Sequence, residues 1–375
     1  MRFVVVRVIR LLSVCLAAGC VFAWPVGLNG QSTGQAARGP RVELHEAPSI
    51  QLSGKVDSNS PATWDLVGGR ETLFVMTSHK GLPSTAEGPD MRQLGKAEPV
   101  TIEPWPGGGV WMEAVVSDVD GTWYGYYHNE IAAQSQCGTD QKVIPRIGAA
   151  RSTDRGRSWE SLGIVLEAPP RTYDCETSNK YFVGGVGDFS VQLDHTSQNL
   201  YFFYSTYLRN ERLQGVAVAR LAWADRDEPI GRMMMWRDRR WIPAGRIDVP
   251  DGTERWFYPA AVPIFPAADS WHDNDNKVDA FWGPSVHWNT HLEQYVVLVS
   301  RAKDDAFTPE GIYVSFAPTL DNPSDWSEPI GILKGGKWYP QVIGTDEGNG
   351  TDKVAGEWAR FFLSGSSQYI AHFIK

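Results

Sequence analysis

The chain has 375 residues and a formal net charge of −9. An acidic surface repels phosphate backbones and no basic stripe compensates for it, which argues against nucleic acid as a partner. The length exceeds the ~250–300 residues beyond which a single core tends to split. The sequence therefore indicates either several domains or an architecture that grows by repetition.

Residues 1–23 are predicted to be a signal peptide. A basic segment with three arginines precedes an apolar run over residues 11–23, which is too short for a membrane span. Small residues ending at Ala23 permit cleavage to a soluble product, whereas the segment ending at Cys20 is similar to a bacterial lipobox. We expect export in both cases, to the periplasm, the medium or the outer surface, with a membrane contact only through a lipid on Cys20.

Residues 24–48 are predicted to be a linker, and residues 49–375 to form the folded domain. The linker includes a stretch rich in Gly, Gln and Ala. Cys137 and Cys175 are the cysteines that remain after processing. In an oxidising compartment they are candidates for a disulfide rather than a metal site, and the sequence leaves their pairing open.

One pattern recurs five times: an apolar strand, a turn, and a second strand rich in aromatic and β-branched residues. The repeats start near residues 59, 111, 187, 282 and 338, and a third and a fourth strand follow most of them. Strong helix patterns are absent. The sequence predicts an all-β fold, a five-bladed β-propeller of four-stranded antiparallel blades, with a six-bladed propeller or a β-sandwich as alternatives.

The segment Ser152–Trp159 resembles the Asp box found in sialidases and other propellers. Asp154 and Gly156 are predicted to form a tight turn between the third and fourth strands, and Trp159 to fill the blade. Asp boxes also occur in propellers without sialidase activity. The motif therefore indicates a fold and not a function.

Strand direction decides which loops share a face of a propeller. First strands begin on the face where second strands end, so candidate site residues lie at those two places. Glu113 and Asp188 put carboxylates near the starts of first strands in neighbouring blades. Close, poorly solvated acids push their pKa values apart into one acid and one base, so we expect this pair to be essential. The alternative is two structural acids bound to backbone amides, and neighbouring strand positions can also point to opposite faces.

Further polar residues surround the expected mouth of the channel. Asp57 precedes the first blade and Glu130 follows the second strand of the second blade, and both are predicted to support catalysis. His128, His79 and Arg301 lie in equivalent loops and are candidate substrate ligands. The alternative for each of these is a solvated loop residue.

Aromatic residues open several first strands at the same mouth. Trp111, Trp282 and Tyr339 offer flat rings that would stack on the C–H faces of sugars, or would wedge between blades. His287 falls in the middle of a strand of the fourth blade, where it is either a core histidine or a ligand for a structural calcium ion in the channel. No cofactor is expected to be required.

The blade pattern resembles the five-bladed glycosidase superfamily of arabinanases, β-xylosidases and invertase-type fructosidases, over roughly residues 50–375. In these families an Asp on the first blade is base or nucleophile, a second Asp tunes a pKa, and a Glu further round the channel is the acid. Asp188 is similar to an inner-strand Asp of the family. Asp57 or Asn59 is an imperfect match to the Asp on the first blade. Gly283–Pro284 occupies the start of the fourth blade, where the family has the acidic Glu.

The resemblance implies a glycoside hydrolase that acts on a polysaccharide or oligosaccharide, and we expect the exported protein to be a monomer. The acid would then be Glu113 or Glu130. Two other functions stay open. A glycan-binding propeller would keep the aromatic mouth without an acid pair. A polysaccharide lyase would use His128 or a tyrosine as base and Arg301 to neutralise a uronate.

Overall fold

The computed structural model describes residues 39–248, 254–273, 275–346 and 348–375. The predicted signal peptide and the part of the predicted linker up to residue 38 lie outside the described residues. No helix in these ranges has the length and the hydropathy that a membrane crossing requires.

The predicted linker is wrong from residue 41 onward, because this segment is a strand of the fold. β1 (Arg41–Gln51) pairs antiparallel with β26 (Ser366–Ile374). Val42 and Leu44 alternate with polar neighbours and pack against the core between the fourth and fifth blades. This period of two is the ordinary pattern of a half-buried strand.

The first two blades are antiparallel meanders in chain order. The first blade consists of β2 (Ala62–Val67), β3 (Arg70–His79), β4 (Leu82–Gly88) and β5 (Glu98–Pro99). The second consists of β7 (Gly109–Ser117), β8 (Trp123–Ala132), β9 (Val143–Ser152) and β10 (Ser158–Leu166), with β6 (Thr101–Glu103) parallel to β10 at the outer edge. The short helix α1 (Gln134–Cys137) lies between β8 and β9.

The third blade carries an insertion after its third strand. Its sheet contains β11 (Val186–Leu193), β12 (Asn199–Tyr207), β13 (Gln214–Ala222), β14 (Met234–Arg237) and β15 (Arg240–Pro243). A separate hairpin follows, made of β16 (Gly245–Asp248) and β17 (Glu254–Phe257). β18 (Phe265–Pro266) then returns to pair with β13.

The last two blades complete the ring. The fourth contains β19 (Ala280–Asn289), β20 (Gln294–Ala302), β21 (Pro309–Ala317) and β22 (Ile330–Lys334), with β24 (Val354–Ala355) added parallel to β19. The fifth contains β23 (Pro340–Gly344), β25 (Trp358–Leu363), β26 and β1. Short 3₁₀ helices span Glu211–Leu213, Trp223–Asp225 and Pro323–Asp325. The predicted five-bladed, antiparallel propeller is confirmed.

Clusters of buried apolar side chains fill the five interfaces between neighbouring blades. The interface that closes the ring between the fifth and first blades contains Ile50, Ala62, Val75, Ile343 and Phe362. Each blade therefore buries both of its faces against neighbours, which repeats the hydrophobic stabilisation around the ring.

A hydrogen-bonded turn connects β9 and β10. Asp154 Oδ1 accepts hydrogen bonds from the amides of Arg157 and Ser158 at 3.1 and 2.9 Å, and its Oδ2 accepts one from the Ser158 hydroxyl at 2.6 Å. Trp159 is 2% exposed, and its Nε1 donates to the carbonyl of Gly156 at 3.0 Å. The turn connects a third to a fourth strand, so it lies on the face opposite the starts of the first strands.

Candidate active site

The first strands of three consecutive blades share a local irregularity. Pairing with the second strand shifts register at Glu113 in β7, at Asp188 in β11 and at Gly283–Pro284 in β19. A bulge inserts an extra residue that leaves the alternation of the strand. Glu113 and Asp188 therefore occupy equivalent positions in their blades, and both reach one cavity.

That cavity has a volume of about 210 Å³ and receives residues from all five blades. Most of the predicted site residues line it, namely Asp57, Trp111, Glu113, His128, Glu130, Asp188, Trp282 and Tyr339. Four further aromatic residues complete the lining: Tyr181, Phe182, Phe307 and Trp338. The cavity is therefore lined by acidic side chains and surrounded by aromatic ones.

Glu113 is the most deeply buried acid of the cavity, with 1% of its surface exposed. Its Oε2 accepts a hydrogen bond from the amide of Phe189 at 2.6 Å. Burial raises the pKa of Glu113 to about 8, and the charges of Asp188 and Asp57 add to this rise, whereas His128 and the Phe189 amide act against it. Burial thus favours the protonated form of Glu113 at neutral pH.

Asp188 is also buried, at 3% exposure, but it is held by hydroxyl donors. Tyr207 donates to Oδ2 at 2.5 Å and Tyr339 donates to Oδ1 at 3.1 Å. Burial raises the pKa of Asp188, while His128 and the two hydroxyls lower it. Burial raises the pKa values of both tyrosines well above the ordinary value, so they remain donors. Two fixed donors favour the ionised form of Asp188.

His128 connects the acids to each other. Its Nδ1 accepts a hydrogen bond from the amide of Asp188 at 2.9 Å, and its Nε2 lies 3.1 Å from Oε1 of Glu130. Desolvation lowers the pKa of His128, but the hydrogen bond with Glu130 and the nearby carboxylates outweigh it and raise the pKa to about 9. A proton on Nδ1 would nevertheless face the amide N–H, so we assign the neutral Nε2–H tautomer. A neutral His128 no longer lowers the pKa of Glu113 or that of Asp188, so it favours a proton on the pair, and the two tyrosine hydroxyls are then the groups that favour ionisation of Asp188.

The acid pair is close enough to titrate as a unit. One oxygen of Glu113, one oxygen of Asp188 and one nitrogen of His128 lie within 4.8 Å of one another. Such a triplet also has the residue types of a metal centre, but each member is already engaged by the hydrogen bonds described above. The arrangement therefore fits two carboxyl groups with coupled titrations better than it fits a metal ion.

Asp57 has both of its oxygens occupied. Oδ1 accepts from Nε1 of Trp111 at 2.6 Å, and Oδ2 accepts from the amide of Lys80 at 3.0 Å. His79 Nδ1 lies 3.3 Å from the same Oδ2, and His79 is not among the residues that line the cavity. The prediction that His79 binds substrate is therefore not supported. His79 contacts Oδ2 of Asp57, and Asp57 holds the Trp111 ring in the cavity wall through its other oxygen.

Arg301 does not reach the cavity either. Its Nε and Nη2 donate to the two carboxylate oxygens of Asp279 at 2.5 and 2.6 Å. This bidentate pair neutralises the guanidinium, so a role of Arg301 in substrate binding is not supported. In the described part of the chain, the cavity lining contains four acids and no lysine or arginine.

His287 is fully buried in β19 and lies outside the cavity. Neither ring nitrogen has a hydrogen-bond partner in the described ranges, and burial lowers the pKa of His287 to about 3. Calcium binds ~6–8 oxygen ligands. His287 belongs to neither of the two groups of three or more potential ligand residues that the described residues bring together. A structural calcium ion at His287 therefore stays a prediction.

A segment that the sequence analysis did not identify forms one wall. We call residues 174–184 the strap, which carries Tyr181 and Phe182 into the cavity. Its Cys175 is disulfide-bonded to Cys137, the pairing that the sequence left open. The Thr177 hydroxyl lies 2.7 Å from His272 Nδ1. The two cysteines were the only sequence signal of this wall.

The aromatic residues have different roles in the walls. Trp282 is 1% exposed and packs edge-to-face on Tyr339 and Trp338, with centroids 5.6 and 5.7 Å apart, so it acts mainly as packing. Trp111 and Trp338 are half-buried and present open ring surface. Tyr339 contributes chiefly its hydroxyl, through the bond to Asp188.

No protein-family profile matches the sequence, and no curated protein is similar to it. Similar solved structures include an endo-arabinase from Bacteroides thetaiotaomicron VPI-5482, with 10% identity over 88% of this chain and 98% of that chain and a TM-score of 0.49. A thermostable family-43 glycoside hydrolase has 11% identity, covers 86% and 91%, and has a TM-score of 0.46. The catalytic domain of a GH62 α-L-arabinofuranosidase from Coprinopsis cinerea has 10% identity, covers 86% and 95%, and has a TM-score of 0.42. These structural neighbours are glycoside hydrolases.

Proposed function

We propose that the protein is a glycoside hydrolase in which Glu113 is the general acid and Asp188 its carboxylate partner. The observation that carries this proposal is a fully buried glutamic acid in the same cavity as an aspartate that accepts hydrogen bonds from two tyrosine hydroxyls. Burial raises the pKa of Glu113 to about 8, and the two hydroxyls favour the ionised form of Asp188. Glycoside hydrolysis needs such a division of labour between two carboxyl groups.

The separation of the pair suggests the stereochemical course. Retaining enzymes have carboxyl groups ~5–5.5 Å apart, and inverting enzymes ~6.5–9.5 Å apart, which leaves room for a water molecule. The nearest oxygens of Glu113 and Asp188 are within 4.8 Å. In the proposed reaction Glu113 protonates the leaving oxygen while Asp188 bonds to the anomeric carbon. Water, deprotonated by Glu113, then displaces Asp188 and restores both groups.

The lining suggests a neutral sugar as substrate. A volume of about 210 Å³ lies below the ~300–1,000 Å³ of pockets for drug-sized ligands, so the cavity is sized for one sugar ring. Trp111 and Trp338 offer surfaces for its C–H faces. Four acids without a cationic neighbour would repel a uronate, so the lyase hypothesis loses its support.

We further propose that the protein is exported, either as a soluble form or with a lipid on Cys20. The N-terminal sequence motivates this proposal, and the Cys137–Cys175 disulfide is in keeping with an oxidising compartment. Fractionation of cells that express the full chain, with Cys20→Ala as the control for lipidation, tests it. Retention of the uncleaved chain in the cytoplasm would contradict export.

The test of catalysis is a reducing-sugar assay over a panel of neutral polysaccharides and oligosaccharides. Wild type should release sugar, whereas Glu113→Gln and Asp188→Asn should fold normally and release it at least about 100-fold more slowly. Glu160→Gln is the matched control, because Glu160 lies in the same blade, is exposed and pairs with Arg151. NMR of the first-formed anomer decides between retention and inversion. Full hydrolysis by both variants would overturn the assignment.

A glycan-binding propeller remains the second candidate, favoured by the fact that both oxygens of Asp57 and of Asp188 already accept hydrogen bonds. A binder would show a dissociation constant for a glycan but no turnover. Calorimetry with the glycans of the same panel separates the two functions, because a hydrolase would show product in the recovered sample.

A further inference from the structure

A second cluster of side chains that could bind a metal ion lies outside the cavity, on the two outermost strands of the fifth blade. Glu43 and His45 are two residues apart on β1, so their side chains share a face of the sheet. His372 on β26 is the direct cross-strand partner of Glu43. One potential ligand atom from each of the three lies within 4.8 Å of the other two.

Neighbouring residues orient the histidine on β26. Trp358 is the cross-strand partner of His372 on β25, and the two rings stack with centroids 3.9 Å apart and an interplanar angle of 4°. Nε2 of His372 lies 3.3 Å from Oε1 of Glu357. The ring of His45 lies 5.9 Å from that of His372. A metal-binding imidazole is commonly fixed in this way by groups around it.

We propose that Glu43, His45 and His372 form a binding site for a divalent transition-metal ion, with Zn²⁺ as the best match. Two imidazoles and one carboxylate are a common zinc ligand set, with water in the fourth position. Ligands at ~2.1 Å from a tetrahedral ion are ~3.4 Å apart. The three side chains are a quarter to a half exposed, so rotamer changes can close the remaining gap.

The position of the site gives it a structural consequence. β1 is the strand that joins the N-terminal end of the fold to the last blade, and its pairing with β26 shifts register between Glu46 and Ile50. The ladder from Arg41 to Glu46 is therefore separated from the rest of the strand pair. An ion held by Glu43, His45 and His372 would fasten this outer part of β1 to β26.

Calorimetry with ZnCl₂ on protein freed of any polyhistidine tag tests the proposal. We expect one Zn²⁺ per chain, an increase of Tm that grows with Zn²⁺ concentration, and slower hydrogen exchange of the β1 amides. The double variant His45→Gln/His372→Gln should lose all three effects, while His291→Gln, a histidine in the turn between β19 and β20, should keep them. Glu113, His128 and Asp188 are unchanged in the double variant, so an ion bound there would still be detected.

Equal Zn²⁺ binding by wild type and the double variant would overturn the proposal, as would the absence of binding to wild type. Co²⁺ provides a second readout that does not depend on a variant. We expect the visible absorption of a tetrahedral Co²⁺ complex, removed by an equivalent of Zn²⁺. An octahedral, purely aqueous Co²⁺ spectrum at saturating protein would contradict the site.

Discussion

The second and third blades differ from the fourth at one position of a shared backbone irregularity. The first strand of each of these blades shifts register near its start. The shift occurs at Glu113 in the second blade, at Asp188 in the third, and at Gly283–Pro284 in the fourth. In the fourth blade the Pro284 carbonyl accepts a hydrogen bond from Asn59 Nδ2 at 3.0 Å. The propeller thus supplies equivalent positions around its axis, and the residue placed there decides whether a position packs the channel or carries an acid.

The largest expected effect comes from removing the acids that distinguish the two blades. Glu113→Gln or Asp188→Asn should lower kcat/KM by about 10²–10⁴-fold, the usual contribution of acid–base catalysis. Because the two groups act as a unit, the double variant should be no less active than the worse single variant. Steady-state kinetics measure this. Losses that multiply in the double variant would contradict a coupled pair.

A smaller effect is expected from the hydroxyl that holds Asp188. Tyr207→Phe removes the donor to Oδ2, so the pKa of Asp188 should rise and kcat/KM should fall about 10-fold. Asp188 must be ionised to act, and with a raised pKa it becomes protonated at a higher pH than in wild type. The acidic limb of the pH profile should therefore shift to higher pH. Tyr204→Phe is the control, since Tyr204 is equally buried in the neighbouring core. An unchanged acidic limb would argue against this role of Tyr207.

The strap, which lies between the second and third blades, also distinguishes this side of the cavity from the fourth blade. In the described ranges the fourth blade has no disulfide-bonded segment. Cys137→Ser/Cys175→Ser should lower the free energy of unfolding by about 2–4 kcal/mol. Looser placement of Tyr181 and Phe182 should raise KM several-fold with little change in kcat. A reductant should reproduce both effects in wild type and leave the variant unchanged. A fall in kcat alone would show that the strap does not bind substrate.

The smallest effect concerns the histidine inside the fourth blade. His287→Leu should raise the free energy of unfolding by about 1 kcal/mol, because it removes two buried nitrogens without partners. Burial lowers the pKa of His287 to about 3, whereas the unfolded chain takes up a proton near the ordinary value of 6.5. The free energy of unfolding is therefore unaffected by this group above pH 6.5 and falls as pH drops from 6.5 toward 3. The variant should lose this acid sensitivity in denaturant titrations. A large destabilisation would instead favour a bound ion at His287.

The blades were predictable because a propeller repeats one hydrophobic alternation, and repetition makes a weak local pattern visible. β1 was missed although Val42 and Leu44 alternate with polar residues, because its partner β26 lies at the other end of the chain. The acids were found as polar residues at strand starts. The sequence did not predict that both acids point into one cavity. This orientation depends on a bulge in each strand, and a bulge adds one residue without a sequence signature.

Residues that depend on a distant partner were predicted least well. Arg301 was assigned to the mouth, but Asp279, which directly precedes β19, neutralises it. Tyr181 and Phe182 reach the cavity from a connecting segment, whose course depends on the disulfide and on contacts with other loops. Such contacts are not encoded in strand periodicity, so the structure was needed to reveal them.

The most direct test of the account is the protonation state of Glu113. Carbon-13 NMR of protein labelled at the glutamate δ-carbon, with Glu113→Gln to assign the signal, follows its titration. A protonated Glu113 at neutral pH that titrates near pH 8 is the expected result, because burial beside Asp188 raises its pKa. A Glu113 that is already ionised at pH 6, with an ordinary pKa near 4.5, would contradict it.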